Sequence, residues 1–192
     1  MQFRNTKDRY GAVTKTFHWT IALLIICLVC VGFYMTELAD RTNPGIFKLF
    51  FLHKSTGIFV LFLASCRVGW HLYSRPAEFV PSLKAWEKTG ARIAHAMLYI
   101  AMFVMPLSGW MLSSSAGRQV SFFNLFTLPD LVAKDEGMHN LFSGIHDVVG
   151  WSLVPLIGLH AAGALKHHFF DKDITLQRML PFGLKDTGEK LP

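Results

Sequence analysis

The sequence predicts an all-α fold, an integral membrane up-down four-helix bundle, and three observations lead there. Hydrophobic residues make up 52% of the 192-residue chain. They are gathered into four blocks, and lysine and arginine cluster at alternate ends of those blocks. A hydrocarbon core of roughly 30 Å needs about 20 apolar residues of helix, each adding about 1.5 Å. The blocks at about 14–36, 46–73, 90–113 and 139–170 meet that length, and a polar tail occupies 171–192.

Basic residues precede the first block, as they do in a signal peptide. Its apolar run is too long for one, and no small-residue cleavage pattern follows, so a retained helix is expected. Arg4, Lys7, Arg9 and Lys15 lie before or at the start of this block, whereas the connection after it carries only Arg41 and Lys48. The second connection again is basic, with Arg75, Lys84, Lys88 and Arg92. The third has only Arg118 and Lys134, and the C-terminal end has Lys166, Lys172, Arg178, Lys185 and Lys190. By the positive-inside rule both termini are cytoplasmic. The same distribution accounts for the net charge of +6, so no nucleic-acid partner is expected.

Within the blocks, Cys27, Cys30 and Cys66 are placed for packing rather than for disulfides. The Cys27-Leu-Val-Cys30 run lacks the histidine that completes a covalent heme site and the strand-turn-helix setting of a redox dithiol. Pro106 and Pro155 fall inside the third and fourth blocks, where each removes a backbone hydrogen bond. Trp19, Trp70, Tyr73, Trp86 and Trp110 mark block ends, where amphipathic rings favour the headgroup region. The connection from Arg118 to His139 holds Phe122, Phe123, Phe126, Leu128 and Leu131, too apolar for a solvated loop. It is expected to cover the bundle mouth or lie along the interface. No linker divides the chain, so residues 1–192 read as one domain.

Nine histidines in so apolar a chain need an account, because ionisable groups inside a span are costly and face the bundle interior. His146 and His160 stand 14 residues apart in the fourth block, close to four helical turns and roughly 21 Å. They share one face at two depths. A single zinc could not touch both, since zinc-binding histidines on one helix sit about one turn apart. Two stacked axial ligands fit better. His53 lies at the depth of His146, while His160 has two candidate partners, His18 and His95, between which spacing does not choose.

Gly57 and Gly150 each follow a histidine by one turn, where the missing side chain would let a flat macrocycle approach. Arg67 lies 14 residues after His53, on the same face at the inner level, suited to a heme propionate. His71, His139, His167 and His168 sit near water; His167 shares the stripe of His160 and could contact a quinone carbonyl or relay protons.

Taken in order, several elements resemble the prokaryotic cytochrome b561 family. They are Phe17-His18-Trp19, His53, Arg67, His95 with Tyr99, Pro106-Leu107-Ser108-Gly109, His146, Gly158-Leu159-His160-Ala161-Ala162 and Leu165-Lys166-His167-His168. The resemblance implies a multi-pass protein of the bacterial inner membrane with two heme b groups. It implies His18 with His160 as the inner axial pair, His53 with His146 as the outer pair, and His95 as a non-ligand near the inner heme. It further implies electron transfer across the membrane, with superoxide oxidases as relatives that pass electrons from periplasmic superoxide to ubiquinone.

Arg41, Lys48, Lys54 and Arg118 are the candidate cations of an outer mouth, opposed by Glu37, Asp40, Asp130, Asp135 and Glu136. His167, Arg9, Thr14 and Thr16 are the candidate quinone contacts. The competing expectation is a membrane electron-transfer anchor that links a dehydrogenase or hydrogenase partner to quinone, docking through the segment from Val120 to Val132.

Overall fold

The computed structural model describes residues 2–40 and 42–181. Its elements run α1 (Ala12–Phe33), extended by a π-helical turn (Tyr34–Leu38), then α2 (Gly45–Tyr73) and α3 (Ala85–Ser115). A hairpin of β1 (Val120–Phe122) and β2 (Phe126–Leu128) follows, then α4 (Glu136–Phe169) and a short α5 (Thr175–Met179). Four helices, Ala12–Leu38, Gly45–Tyr73, Ala85–Ser115 and Glu136–Phe169, are long and apolar enough to cross a membrane. The burial pattern suits that solvent. Thr14, Ser55, Ser108 and Ser114 are buried, while Leu23, Phe62, Ile100, Val148 and Leu159 are exposed. Such an arrangement is stable where the surroundings are themselves apolar.

Helix starts follow local capping chemistry. Asn43 Oδ1 accepts from the Gly45 amide at 2.9 Å, and Pro44 stands immediately before α2. The α3 helix begins at Ala85, earlier than the apolar block, because Glu87 Oε2 reaches back to the Lys84 amide at 2.8 Å. That is half of a capping box. At α4, Asp135 Oδ1 takes the Met138 amide at 2.8 Å and sets the start at Glu136. Both α3 and α4 continue through their prolines, Pro106 and Pro155.

The contacts divide the chain into two compact units. The first comprises the N-terminal stretch to Thr20, Ser65–Leu98 and the chain from Leu156 onward. Asn5 is its hub: its amide and Nδ2 donate to Ser74 Oγ and Ser74 O, both at 3.0 Å. Asn5 Oδ1 in turn accepts from the Gly11 amide and Thr14 Oγ1, both at 2.8 Å. A Cβ at Gly11 would lie 2.6 Å from the Arg4 backbone carbonyl, so only glycine fits there. The C-terminal end folds back on this unit. Trp19 Nε1 donates to Met179 O at 2.9 Å and Lys15 Nζ to Leu180 O at 3.0 Å. The Arg178 guanidinium donates to Glu78 O at 2.9 Å and Lys7 O at 3.2 Å.

The second unit comprises Ile21–Ala64 and Tyr99–Pro155. Here the apolar connection forms an antiparallel hairpin in which Phe122 pairs with Phe126. Their rings stack at 5.2 Å. The reversal places Phe123 and Asn124 at φ of 46° and 59°, a left-handed conformation that asparagine tolerates and phenylalanine resists. Ser55, fully buried in α2, holds the turn. Its hydroxyl donates to Ser121 O at 2.8 Å and accepts from the Phe123 amide at 3.2 Å. Ser55→Ala should destabilise this hairpin by about 1–2 kcal/mol, read as faster amide exchange at Phe123; unchanged protection there would refute the anchor. Trp110 Nε1 on Pro129 O and Ser114 Oγ beneath the Leu131 amide secure the chain beyond it.

Candidate functional site

Each unit brings histidines together. In the first, α1 presents His18 and α4 presents His160, their ring centroids 6.1 Å apart. His95 of α3 also faces His160, at 5.2 Å. Arg67 of α2 completes the group, with its two terminal nitrogens 3.5 and 3.4 Å from His18 Nδ1. In the second unit, His53 of α2 faces His146 of α4 with centroids 6.4 Å apart.

These separations test the chemistry. Imidazoles binding one metal ion from opposite sides, at about 2.0 Å per metal–nitrogen bond, have ring centroids about 6.3 Å apart once the ring radii are added. The His18–His160 and His53–His146 pairs meet that spacing. His95 stands closer to His160 than such a pair would. A Cβ built at Gly57, one turn after His53, meets nothing within 4 Å, so the backbone there is open to close approach. At Gly150 it would meet Met105 Cε at 3.2 Å.

The histidine of α4 in the second unit is closely held. His146 Nδ1 lies 3.1 Å from the Met105 carbonyl oxygen and 3.2 Å from Ser108 Oγ. The sequence singled out Pro106-Leu107-Ser108-Gly109 only as a resemblance; its place against His146 was not legible from spacing.

The remaining candidates separate. Thr14 spends its hydroxyl in both directions, donating to Asn5 Oδ1 and accepting from Trp70 Nε1 at 2.9 Å. Thr16 is exposed, and Arg9 is half-buried. His167 Nδ1 lies 2.7 Å from Asp171 Oδ2 and 3.4 Å from Asp173 Oδ2. Beside it, Lys166 Nζ bridges Glu87 at 2.5 Å and Asp171 at 2.6 Å. Glu87, His167 and Asp171 thus converge within 4.8 Å, but the Lys166 ammonium already supplies the positive charge there. That ammonium, with His167, holds the Asp171 carboxyl below its usual range. Asp171 therefore stabilises the fold above that range, and the contribution is lost as pH falls through its lowered value. Of the cations expected at an outer mouth, Lys48 and Arg118 are exposed and Lys54 is half-buried, while Arg41 lies outside the described residues.

Four helices long and apolar enough to cross a membrane, with histidines brought face to face, define a multi-pass membrane protein. The chain belongs to the prokaryotic cytochrome b561 family, whose sequence model matches residues 9–182, and it is a bacterial membrane electron-transfer protein. It is 36% identical to cytochrome b561 homolog 2 of Escherichia coli (strain K12) over 189 residues, covering 98% of this chain and 100% of that protein. Identity to cytochrome b561 homolog 1 of the same organism is 31% over 177 residues, 91% of this chain and 98% of the other. A Yersinia pestis protein named probable superoxide oxidase CybB is 26% identical over 173 residues, 90% of this chain and 96% of its own. The family implies b-type heme.

Proposed function

We propose that the chain is a diheme superoxide:quinone oxidoreductase of the bacterial inner membrane, with both termini cytoplasmic. The carrying observation is that two histidine pairs stand at 6.1 and 6.4 Å, the spacing of axial ligand pairs. We assign His18 and His160 to the inner heme and His53 and His146 to the outer one. The 5.2 Å separation of His95 from His160 supports a non-ligand role for His95.

Bound heme supplies reversible one-electron transfer at each level, and the rest is done by the protein. Ligation through Nε2 needs the His18 proton on Nδ1, yet the Arg67 guanidinium, a donor only, faces that atom. With heme bound through His18 Nε2, Arg67 would have to give up that contact, and a propionate carboxylate would be a suitable partner for its guanidinium. The electrons balance simply. Two superoxide anions each surrender one electron and leave as dioxygen; one ubiquinone takes both electrons and two protons to become the quinol. His167, paired with Asp171 at 2.7 Å, is our candidate for holding a proton at the quinone end, with Arg9 and Thr16 as further contacts. The half-buried Lys54 and exposed Arg118 and Lys48 supply positive charge for an incoming anion.

A second reading, an electron-transfer anchor serving a protein partner, draws on the hairpin, where Leu125 and Phe126 are 75% and 57% exposed. Stopped-flow superoxide decay with and without ubiquinone separates the two. Acceleration that requires both protein and quinone is the expected result. Decay at the spontaneous rate by protein carrying two hemes would transfer the assignment to the anchor.

A further inference from the structure

His53 and His146 face one another but are held in different ways. The hydrogen atoms around His146 are assigned by the chemistry of its partners. The Met105 carbonyl can only accept, so its 3.1 Å contact places the proton on His146 Nδ1. The Ser108 hydroxyl, 4% exposed, donates to the same carbonyl at 2.9 Å. Its lone pair therefore faces the Nδ1–H at 3.2 Å. This tautomer leaves the Nε2 lone pair for a metal. Gly109 sets the ring position from the same helix: a Cβ there would stand 3.0 Å from His146 Cε1 and 3.3 Å from Nδ1. His53 lacks such a frame. Its Nδ1 is buried with no hydrogen-bond partner among the described residues, and the Cβ position of Gly32 is in ordinary contact with its Cε1 at 3.5 Å.

We propose that Met105, Ser108 and Gly109 form a steering clamp that fixes the tautomer and ring plane of His146, making it the firm ligand of its pair and His53 the compliant one. Ser108 and Gly109 are positioning residues, and the inference rests on His146 being a heme ligand. A hydrogen bond from Nδ1–H makes an imidazole the better donor and favours the oxidised metal. The clamp thus lowers the reduction potential of one heme. Removing the Ser108 hydroxyl weakens that bias, and a methyl group at Gly109 forces the ring to tilt.

The test is redox titration and electron paramagnetic resonance on the full-length protein with heme bound. Ser108→Ala should raise the midpoint potential of one heme only, with two hemes retained, and Ser108→Thr should restore it. Gly109→Ala should change the low-spin g-values of that heme or lose it; if this variant does not fold, the two serine variants decide. His146→Ala keeps failure of the clamp distinct from failure of the ligand assignment. Retention of both hemes in it would remove the ligand and the clamp together. Loss of one heme there, with potentials and g-values unchanged in the serine and glycine variants, would overturn the clamp alone.

Discussion

Replacing His160 with alanine should halve the heme bound per polypeptide, leaving the spectrum of the heme held by His53 and His146. His160 faces two other histidines of its unit, His18 at 6.1 Å and His95 at 5.2 Å. Without it, those two rings would have to ligate the iron together from α1 and α3. Helices do not shift register to allow that, because interiors packed at crystal-like density resist it. His18→Ala should give the same half occupancy, whereas His95→Ala should keep both hemes. Extracted heme quantified against protein, with reduced-minus-oxidised spectra, measures all three. Two hemes in His160→Ala, or one in His95→Ala, would refute the assignment of His18 with His160.

Arg178→Ala should be the most damaging change outside the histidines. The residue is 6% exposed and serves two backbone carbonyls, Glu78 O and Lys7 O, from stretches far from it in sequence. Its guanidinium also lies 5.8 Å from the Tyr10 ring centroid, within cation–π range. Truncation strands both carbonyls and removes two charge-assisted bonds, at a cost on the order of 3 kcal/mol. Arg178→Lys should recover only part, since an ammonium lacks the planar fork that spans two acceptors. Thermal inactivation followed by heme loss at one fixed heating rate is the measurement, because unfolding of such proteins is a rate as much as an equilibrium. A transition unmoved by Arg178→Ala would show that the two Arg178 hydrogen bonds contribute nothing measurable to stability.

The four spans were legible because hydropathy is read over twenty residues and tolerates single polar insertions such as His95 or Arg67. Their starts were less so. The polar Ala85–Lys88 turn belongs to α3 because of one carboxylate, Glu87, on one amide. The capping pattern signals this, and a hydropathy profile averages it away. The two histidine levels followed from helical period alone; the choice of His18 over His95 needed family resemblance, since sequence spacing carries depth but not the distance between rings. The hairpin was hidden by its strands of three residues, too short for alternation to register, and by its dependence on Ser55 in a distant helix. The basic tail read as a topology signal, while its specific contacts through Lys166 and Arg178 depend on partners no local pattern reveals.

The contacts that close the first unit join residues separated by 165 positions for Lys15 with Leu180 and 171 for Arg178 with Lys7. Neither can form before Arg178 and Leu180 have left the ribosome. The second unit ends at Pro155, so all of its residues are made earlier. Assembly is thus ordered in time: the residues of the His53–His146 half are all available first, and the His18–His160 half is sealed only after Leu180 has emerged.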